Sequence, residues 1–171
     1  MAESLSVDVK TSLAWLFQDV LELSTVTDVA RLEYAAVLGG APANEPVDLL
    51  WHDERTIAAG AHDDLVLSDL AKTLFGQAVA FSFARVRALL IVNLATVAGH
   101  DLWIGGASAE AWAAPFGDAT DRLLLPSDSC LSWVAKRAGW EVEDGTSDTL
   151  RIANPGAAAV TSRIALVGES V

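Results

Sequence analysis

Three histidines, each followed directly by an aspartate, are the residues of this chain that are best suited to chemistry. The pairs are His52-Asp53, His62-Asp63 and His100-Asp101. An imidazole and a carboxylate can supply metal ligands, or they can act as a general base with the group that orients it. Neighbouring residues of a strand point to opposite faces, however, so the two members of one pair do not converge on one ion. We therefore interpret the histidines as solvated residues of loops or strand ends; a metal-dependent hydrolase would require them to converge in the fold.

Other catalytic and ligand-binding motifs are absent from the sequence. No Gly-x-Ser-x-Gly elbow occurs, and Cys130 has no histidine near it in the sequence, so we interpret it as a small core residue. The segment 144–148 begins like a calcium-binding loop but lacks the required glycine position and the terminal glutamate, which predicts a hairpin turn. We expect no enzymatic activity, no metal and no cofactor.

Six tryptophans offer surfaces for binding as well as for packing. An exposed cluster of them could stack on sugar rings or anchor an interface. Four lie in strand patterns, which favours core packing: Trp51, Trp103, Trp133 and Trp140. Trp112 lies in the segment 107–116, which is rich in small residues and too apolar to be comfortable in water. We predict subunit contacts through Trp112 and Phe116, and through Trp15 and Phe17 of the N-terminal segment.

The elements that position these side chains show a dominant period of two. Apolar residues alternate with polar or small ones in the segments 31–38, 47–52 and 79–83, and the run Val86–Val92 is apolar apart from Arg87. These patterns predict half-buried strands and one central strand. Further candidate strands, separated by turn residues, are Asp101–Ile104, Arg122–Leu125, Leu131–Lys136, Trp140–Glu143, Thr149–Ala153 and Val160–Val167. Short strands at such spacing predict an all-β jelly roll or β-sandwich.

One segment departs from this period and predicts a short α-helix. Ser68 suits an N-cap, and Gly76 stands where helices commonly end. Four apolar residues between them would share one helical face: Leu70, Ala71, Leu74 and Phe75. We therefore expect a two-turn helix packed across an open end of the β structure.

The N-terminal segment 11–27 fits two structures. Its spacing of apolar residues suits a helix, whereas Val20 and the stretch Thr25–Thr27 favour a strand. We assign a strand-rich element there. The chain is predicted to form a single β-rich domain over residues 1–171, with residues 1–45 as an N-terminal arm or docking element.

The composition combines surplus apolar residues with a strong negative charge. Hydrophobic residues make up 52% of the chain, and the net charge is −12. Residues 1–70 hold 13 acids and 3 bases, which accounts for a net charge of −10 in that part alone. Such a surface repels phosphate backbones, so we expect no nucleic-acid partner. The surplus apolar area would lie in a generous core or in subunit interfaces.

Two features bear on the compartment in which the chain folds. The longest uninterrupted apolar runs, among them Ala88–Val92, have only five residues, far fewer than the ~20 of a membrane-spanning helix, so we expect no membrane partner. Cys130 is the only cysteine, which makes an intramolecular disulfide impossible, and the first residues lack the pattern of a secretory signal. We expect the chain to be made and folded in cytoplasm.

Several segments of the chain, spread over residues 50–168, resemble small structural proteins of tailed bacteriophages. The segments that carry this resemblance are Trp51–Ala58, Phe83–Ile91, Ile104–Gly106, Phe116–Asp121, Gly145–Asn154 and the closing strand that ends at Gly168. Proteins of this kind are similar to jelly-roll decoration (cement) proteins. The N-terminal third departs from the pattern, because the segment 13–23 is more apolar than expected.

The resemblance implies a structural role and no catalytic residues. It implies a virion component, made in the host cytoplasm, that forms a homo-oligomer, most often a trimer, and clamps subunits of the major capsid protein. A tail, fibre or baseplate component, or a glycan-binding β-sandwich module, is the alternative. An acidic first half would complement basic patches on a shell protein.

Overall fold

The computed structural model describes residues 5–20, 22, 24–39, 47–74, 76–107 and 109–171. These residues form thirteen strands and no helix, which confirms the all-β fold class and the strand-rich N-terminal arm. The strands are β1 (Ser6–Val20), β2 (Thr25–Gly39), β3 (Leu49–Ile57), β4 (His62–Val66), β5 (Leu70–Leu74), β6 (Gln77–Phe81), β7 (Phe83–Asn93), β8 (Leu102–Gly105), β9 (Arg122–Leu125), β10 (Ser129–Val134), β11 (Trp140–Glu141), β12 (Thr149–Ala153) and β13 (Val160–Ser170).

Nine of these strands form two sheets, and eight of the nine are arranged as a jelly roll. One sheet has the order β10-β7-β13-β3, with β11 also paired to β7, and the other has the order β4-β12-β8-β9. Every pairing between strands is antiparallel. Apart from β8 and β9, which are neighbours in one sheet, successive strands of the jelly roll alternate between the two sheets, and the last strand, β13, lies between β3 and β7. This winding is the jelly-roll arrangement of two Greek keys.

The core lies between the two sheets and follows from the period of two. In the first sheet, Leu166 of β13 aligns with Trp51 of β3 on one side and with Leu89 of β7 on the other. All three side chains are buried, as are Ile104 and Ile152 from the opposite sheet. Burying a side chain of this size contributes about 1.5–3 kcal/mol relative to leaving it exposed. The sandwich therefore has a hydrophobic core of its own.

A buried arginine fastens the end of the first sheet. Arg87 donates from Nε to Glu169 Oε1 at 2.7 Å and from Nη1 to the Lys136 carbonyl at 2.8 Å, and it also contacts the Arg137 carbonyl. Its side chain is 5% exposed, against 19% for that of Glu169. Arginine suits this place because its planar group can donate to a carboxylate and to carbonyls at once.

The predicted helix over 68–76 is wrong. Residues Leu70–Leu74 form β5, which pairs with β6 in a hairpin from Leu70↔Phe81 to Leu74↔Gln77. Gly76 directly precedes β6 and has a φ of +80°, which glycine adopts readily, so it does not end a helix. The Ser68 hydroxyl donates to Asp148 Oδ2 at 2.6 Å, so it caps no helix. Phe75, the last of the four predicted helical residues, lies outside the described residues.

Within the ambiguous segment 11–27, residues 11–20 belong to β1 and residues 25–27 to β2, and these two strands make a two-stranded sheet of their own. The predicted limit of the arm at residue 45 lies outside the described residues. Among the described residues, none belongs to a helix that is long and apolar enough to cross a membrane.

Candidate interaction surface

The N-terminal hairpin, β1–β2, is a long ribbon that we call the arm. Each strand has 15 residues, and they pair without interruption from Ser6↔Gly39 to Val20↔Thr25. At ~3.4 Å per residue the ribbon is roughly 50 Å long. Two-stranded hairpins are at best marginally stable in water on their own. An arm of this length therefore needs another surface against which to pack.

The two faces of the arm differ in chemistry. Residues that are directly paired across an antiparallel ladder lie on the same face. One face, which we call the apolar face, combines odd-numbered residues of β1 with even-numbered residues of β2: Val7, Val9, Thr11, Leu13, Trp15, Phe17, Asp19, Val26, Asp28, Ala30, Leu32, Tyr34, Ala36 and Leu38. The opposite face mixes apolar residues with charged ones, including Asp8, Lys10, Arg31 and Glu33. The arm thus has one face suited to burial.

The root of the apolar face is buried against the jelly roll. Leu38 packs in a small cluster with Ala88 and Val167, which are on the outer face of the five-stranded sheet, and Val7 and Val9 pack against this cluster. Leu38 is 1% exposed. The first part of the apolar face therefore already has a partner surface within the same molecule.

The distal half of the same face is exposed to solvent. Leu13, Phe17 and Leu32 are 64%, 61% and 68% exposed, and Trp15 and Tyr34 are also exposed. Of the large hydrophobic residues that are exposed in the described part of the chain, more lie on the arm than on the whole jelly roll. Such a contiguous apolar stripe is typical of a protein interaction site. Trp15 and Phe17, for which we predicted subunit contacts, both lie here.

Two carboxylates mark the tip of the apolar face. Trp15 Nε1 donates to Asp28 Oδ2 at 3.2 Å, and Asp19 lies one pair further out, opposite Val26. Lysine and arginine do not occur on this face. A surface that covers the tip must therefore either leave the carboxylates in water or offer them a cation, because burying an unpaired charge is costly.

A second exposed apolar region lies on the outer face of the five-stranded sheet, and we call it the trough. Leu50, Leu90 and Ala165 point outward there, and Leu50 and Leu90 are 39% and 42% exposed. Two depressions of about 600 Å³ and 350 Å³ share Leu90 and Ala165. The root of the arm borders the larger one, and Lys72 borders the smaller one.

Cys130 lines the larger depression and is exposed, so its interpretation as a core residue is wrong. Leu131 and Trp133 of β10 pair with the inward-facing Ile91 and Leu89. Their neighbour Cys130 therefore faces outward, opposite Val92. The alternation within this strand is the signal that would have shown it.

The predicted subunit contact through Trp112 is wrong as well. Trp112 is 2% exposed, its Nε1 donates to the Glu141 carbonyl at 2.7 Å, and its ring meets that of Trp140 edge to face with centroids 6.4 Å apart. The Trp112 side chain is thus buried within its own protomer. Phe116 is half-buried and packs edge to face on Trp133 at 5.3 Å. Because its ring is buried, Trp112 cannot stack on a sugar ring in a glycan-binding site.

The other tryptophans divide between core and surface. Trp51 is fully buried, and Trp133 and Trp140 pack against the main core, as predicted. Trp103 instead lies on the outer face of the four-stranded sheet, since its neighbour Ile104 points inward, and the Arg122 guanidinium lies 4.8 Å from its ring centroid. The stacked guanidinium covers one face of that ring.

The three histidines lie in different places in the fold. His52 is on the outer face of the five-stranded sheet, where the Lys72 ammonium donates to its carbonyl. His62 is on β4 of the other sheet, 3.7 Å from Asp64, and His100 is in the loop before β8. Across the residues that the structure describes, no group of three or more His, Cys, Asp or Glu side chains is arranged to hold a metal ion.

The best-defined ion pair at the surface joins the four-stranded sheet. Arg151 donates from Nε and Nη2 to the two carboxylate oxygens of Asp64, each at 2.7 Å. This hydrogen bonding holds the pKa of the Asp64 carboxyl below its usual value and raises that of Arg151. The pair ties β12 to β4 and forms part of no cleft described above.

The chain matches none of the models of known protein families, and it matches no curated protein at a significant level.

Proposed function

We propose that this chain is a structural protein of a tailed-bacteriophage virion, and specifically a capsid decoration (cement) protein that works as a homo-oligomer. The observation that carries the proposal is the exposed apolar face of the arm. A sandwich that has its own core and also carries a long hairpin with an exposed apolar face is suited to joining molecules together. The resemblance of the jelly-roll half to phage structural proteins supports the same role, and viral capsid proteins are among the users of this fold.

The size of the exposed apolar area is adequate for a specific contact. Six side chains of the distal apolar face are exposed: Leu13, Trp15, Phe17, Val26, Leu32 and Tyr34. If each has an area of ~150–250 Å², their exposed parts amount to roughly 650 Å². A standard interface buries about 800 Å² on each partner.

The energy of one such contact is moderate. At about 25 cal/mol per Å², burial of this area contributes on the order of 15 kcal/mol before association costs on the order of 4–15 kcal/mol are subtracted. A net gain of a few kcal/mol per contact suits a cement protein, because a symmetric shell repeats the contact many times. The negative charge would steer encounter with a basic shell surface more than it would add affinity.

Co-sedimentation with capsids tests the virion role. Empty shells assembled from the major capsid protein of the phage or prophage that encodes this chain are mixed with the purified protein and pelleted. We expect saturable binding in a fixed ratio to capsid subunits. Binding to isolated tails and not to heads would assign the chain to the tail, fibre or baseplate instead. A folded oligomer that pellets with neither would contradict the virion role.

A further inference from the structure

We propose that the distal apolar face of the arm packs in the trough of a second copy of this chain, so that neighbouring molecules exchange arms. The proposal rests on the homo-oligomer of the proposed function and names its interface. The occupant of the trough is the distal apolar face of the neighbouring arm, which runs from Leu13 to Asp19 on β1 and from Val26 to Leu32 on β2.

Continuity of the two surfaces supports this pairing. Within one molecule, the root of the apolar face already packs on Ala88, Val134 and Val167 of the outer face of the five-stranded sheet. The trough continues that outer face toward Leu50 and Leu90, and the distal arm continues the apolar face. The distal half of the arm is therefore apolar like its root. The trough, likewise, is apolar like the sheet surface on which the root already lies.

Charge favours the trough over a contact between two arms. Packing two arms through their apolar faces would bring Asp19 and Asp28 of both copies out of water with no cation on either face. The smaller depression of the trough is lined by Lys72 and Arg163 and also by two carboxylates, Asp53 and Glu54. Asp53 is paired with Arg55 and Glu54 with Arg163, whereas the Lys72 ammonium contacts His52. An arm in the trough can therefore bring a tip carboxylate toward a positive charge.

The geometry also fits a closed assembly. The arm and the trough are different surfaces, so their contact is head to tail and generates a ring when the rotation between copies closes. A trimer is one such ring. Each chain gives one arm and receives one, which leaves neither surface uncovered.

Disulfide cross-linking tests the interface, because Cys130 is the only cysteine and lines the trough. A second cysteine is introduced on the apolar face of the arm, as Phe17→Cys or Val26→Cys. The matched control is Leu16→Cys, which lies on the opposite face and is 62% exposed, against 61% for Phe17. After mild oxidation, covalent species of two or more chains are separated on non-reducing gels.

We expect intermolecular cross-links from at least one of the two apolar-face variants and none from the Leu16→Cys control. The cross-links should be lost when Cys130→Ser is added. They should return when the Phe17→Cys/Cys130→Ser protein is mixed with a wild-type chain of distinguishable size, because that mixture restores one arm thiol and one trough thiol.

Three outcomes would overturn arm exchange. Cross-links that persist in the Cys130→Ser background would show arms packed on arms, and equal cross-linking by Leu16→Cys would show that no face is preferred. An oligomer with no cross-link at either apolar-face position would place the arm elsewhere. All three leave the capsid co-sedimentation result standing, so the failure of this inference is distinguishable from failure of the virion role.

Discussion

The jelly roll and the arm contain the same kinds of apolar residue but bury them to opposite extents. Leu166 in the central strand of the sandwich is 0% exposed, whereas Leu32 in the arm is 68% exposed. The sandwich has two sheets that cover each other, while the arm is a single layer whose root alone is covered. A layer needs a second layer to form a core. The comparison suggests that the sandwich stabilises the molecule and that the arm joins molecules.

The largest effect is expected from matched truncations in the two regions. Leu166→Ala should lower the free energy of unfolding by about 2–5 kcal/mol, because it leaves a cavity in a fully buried site. Leu32→Ala should change it by less than about 0.5 kcal/mol, since the side chain is exposed. Urea unfolding followed by tryptophan fluorescence, at a concentration where the protein is monomeric, measures both. Equal losses would contradict the division into two regions.

A somewhat smaller effect is expected at the buried ion pair of the sandwich. Glu169→Gln removes the charge that faces Arg87, whose side chain is 5% exposed, while keeping the shape. We expect a loss of roughly 2–3 kcal/mol in the free energy of unfolding, near the lower end of the cost of breaking a buried pair, because two carbonyls still accept from Arg87. Glu54→Gln, in the exposed pair with Arg163, is the control and should cost less than about 1 kcal/mol.

Substitutions in the arm should change the strength of self-association and leave the folding of the chain unchanged. Phe17→Asp on the apolar face should weaken self-association by tenfold or more, equivalent to at least about 1.4 kcal/mol, because it places a charge in the contact. Leu16→Asp on the opposite face should have little effect. Sedimentation velocity over a range of concentrations measures the difference, and circular dichroism confirms that both variants are folded. A strictly monomeric wild-type protein would contradict an assembly role for the arm.

The smallest effect is expected at the surface ion pair of Asp64 and Arg151. Because the pKa of Asp64 is lower in the folded chain than in the unfolded one, the carboxylate stabilises the fold above the unfolded pKa near 4 and ceases to do so as the pH falls through the folded value. Asp64→Asn should lower the free energy of unfolding by up to about 1 kcal/mol at pH 7. Thermal unfolding from pH 7 to pH 2 should show the two proteins converging at acidic pH; a constant difference would contradict the role of the ion pair.

The sandwich was predictable because its strands alternate cleanly. Val86–Val92 was recognisable as a central strand from its continuous apolar run, and it lies in β7 between β10 and β13. The helix error arose because Leu70, Ala71 and Leu74 satisfy a helical spacing as well as a short strand. What decides the structure there is pairing with β6, which is a contact between segments and not a local preference.

The candidate interface was predictable only in part. Trp15 and Phe17 were named from their chemistry, but Leu13, Leu16 and Phe17 also fit a helix, which hid the division of the arm into two faces. The trough was beyond sequence reasoning, because Leu50, Leu90 and Ala165 come from three strands that meet only in the folded sheet. The burial of Trp112 could not be predicted for the same reason. Its side chain contacts Trp140 and the Glu141 carbonyl, which are distant in sequence.

The position of β13 between β3 and β7 has a consequence for synthesis on the ribosome. The five-stranded sheet cannot close until the residues of β13 have emerged, although the arm, made of adjacent segments, can pair as soon as residue 39 is available. Native pairings over such long separations are slow to form. During that interval the root of the arm has no sheet against which to pack. Nascent chains on neighbouring ribosomes therefore expose the apolar arm before the jelly roll has folded.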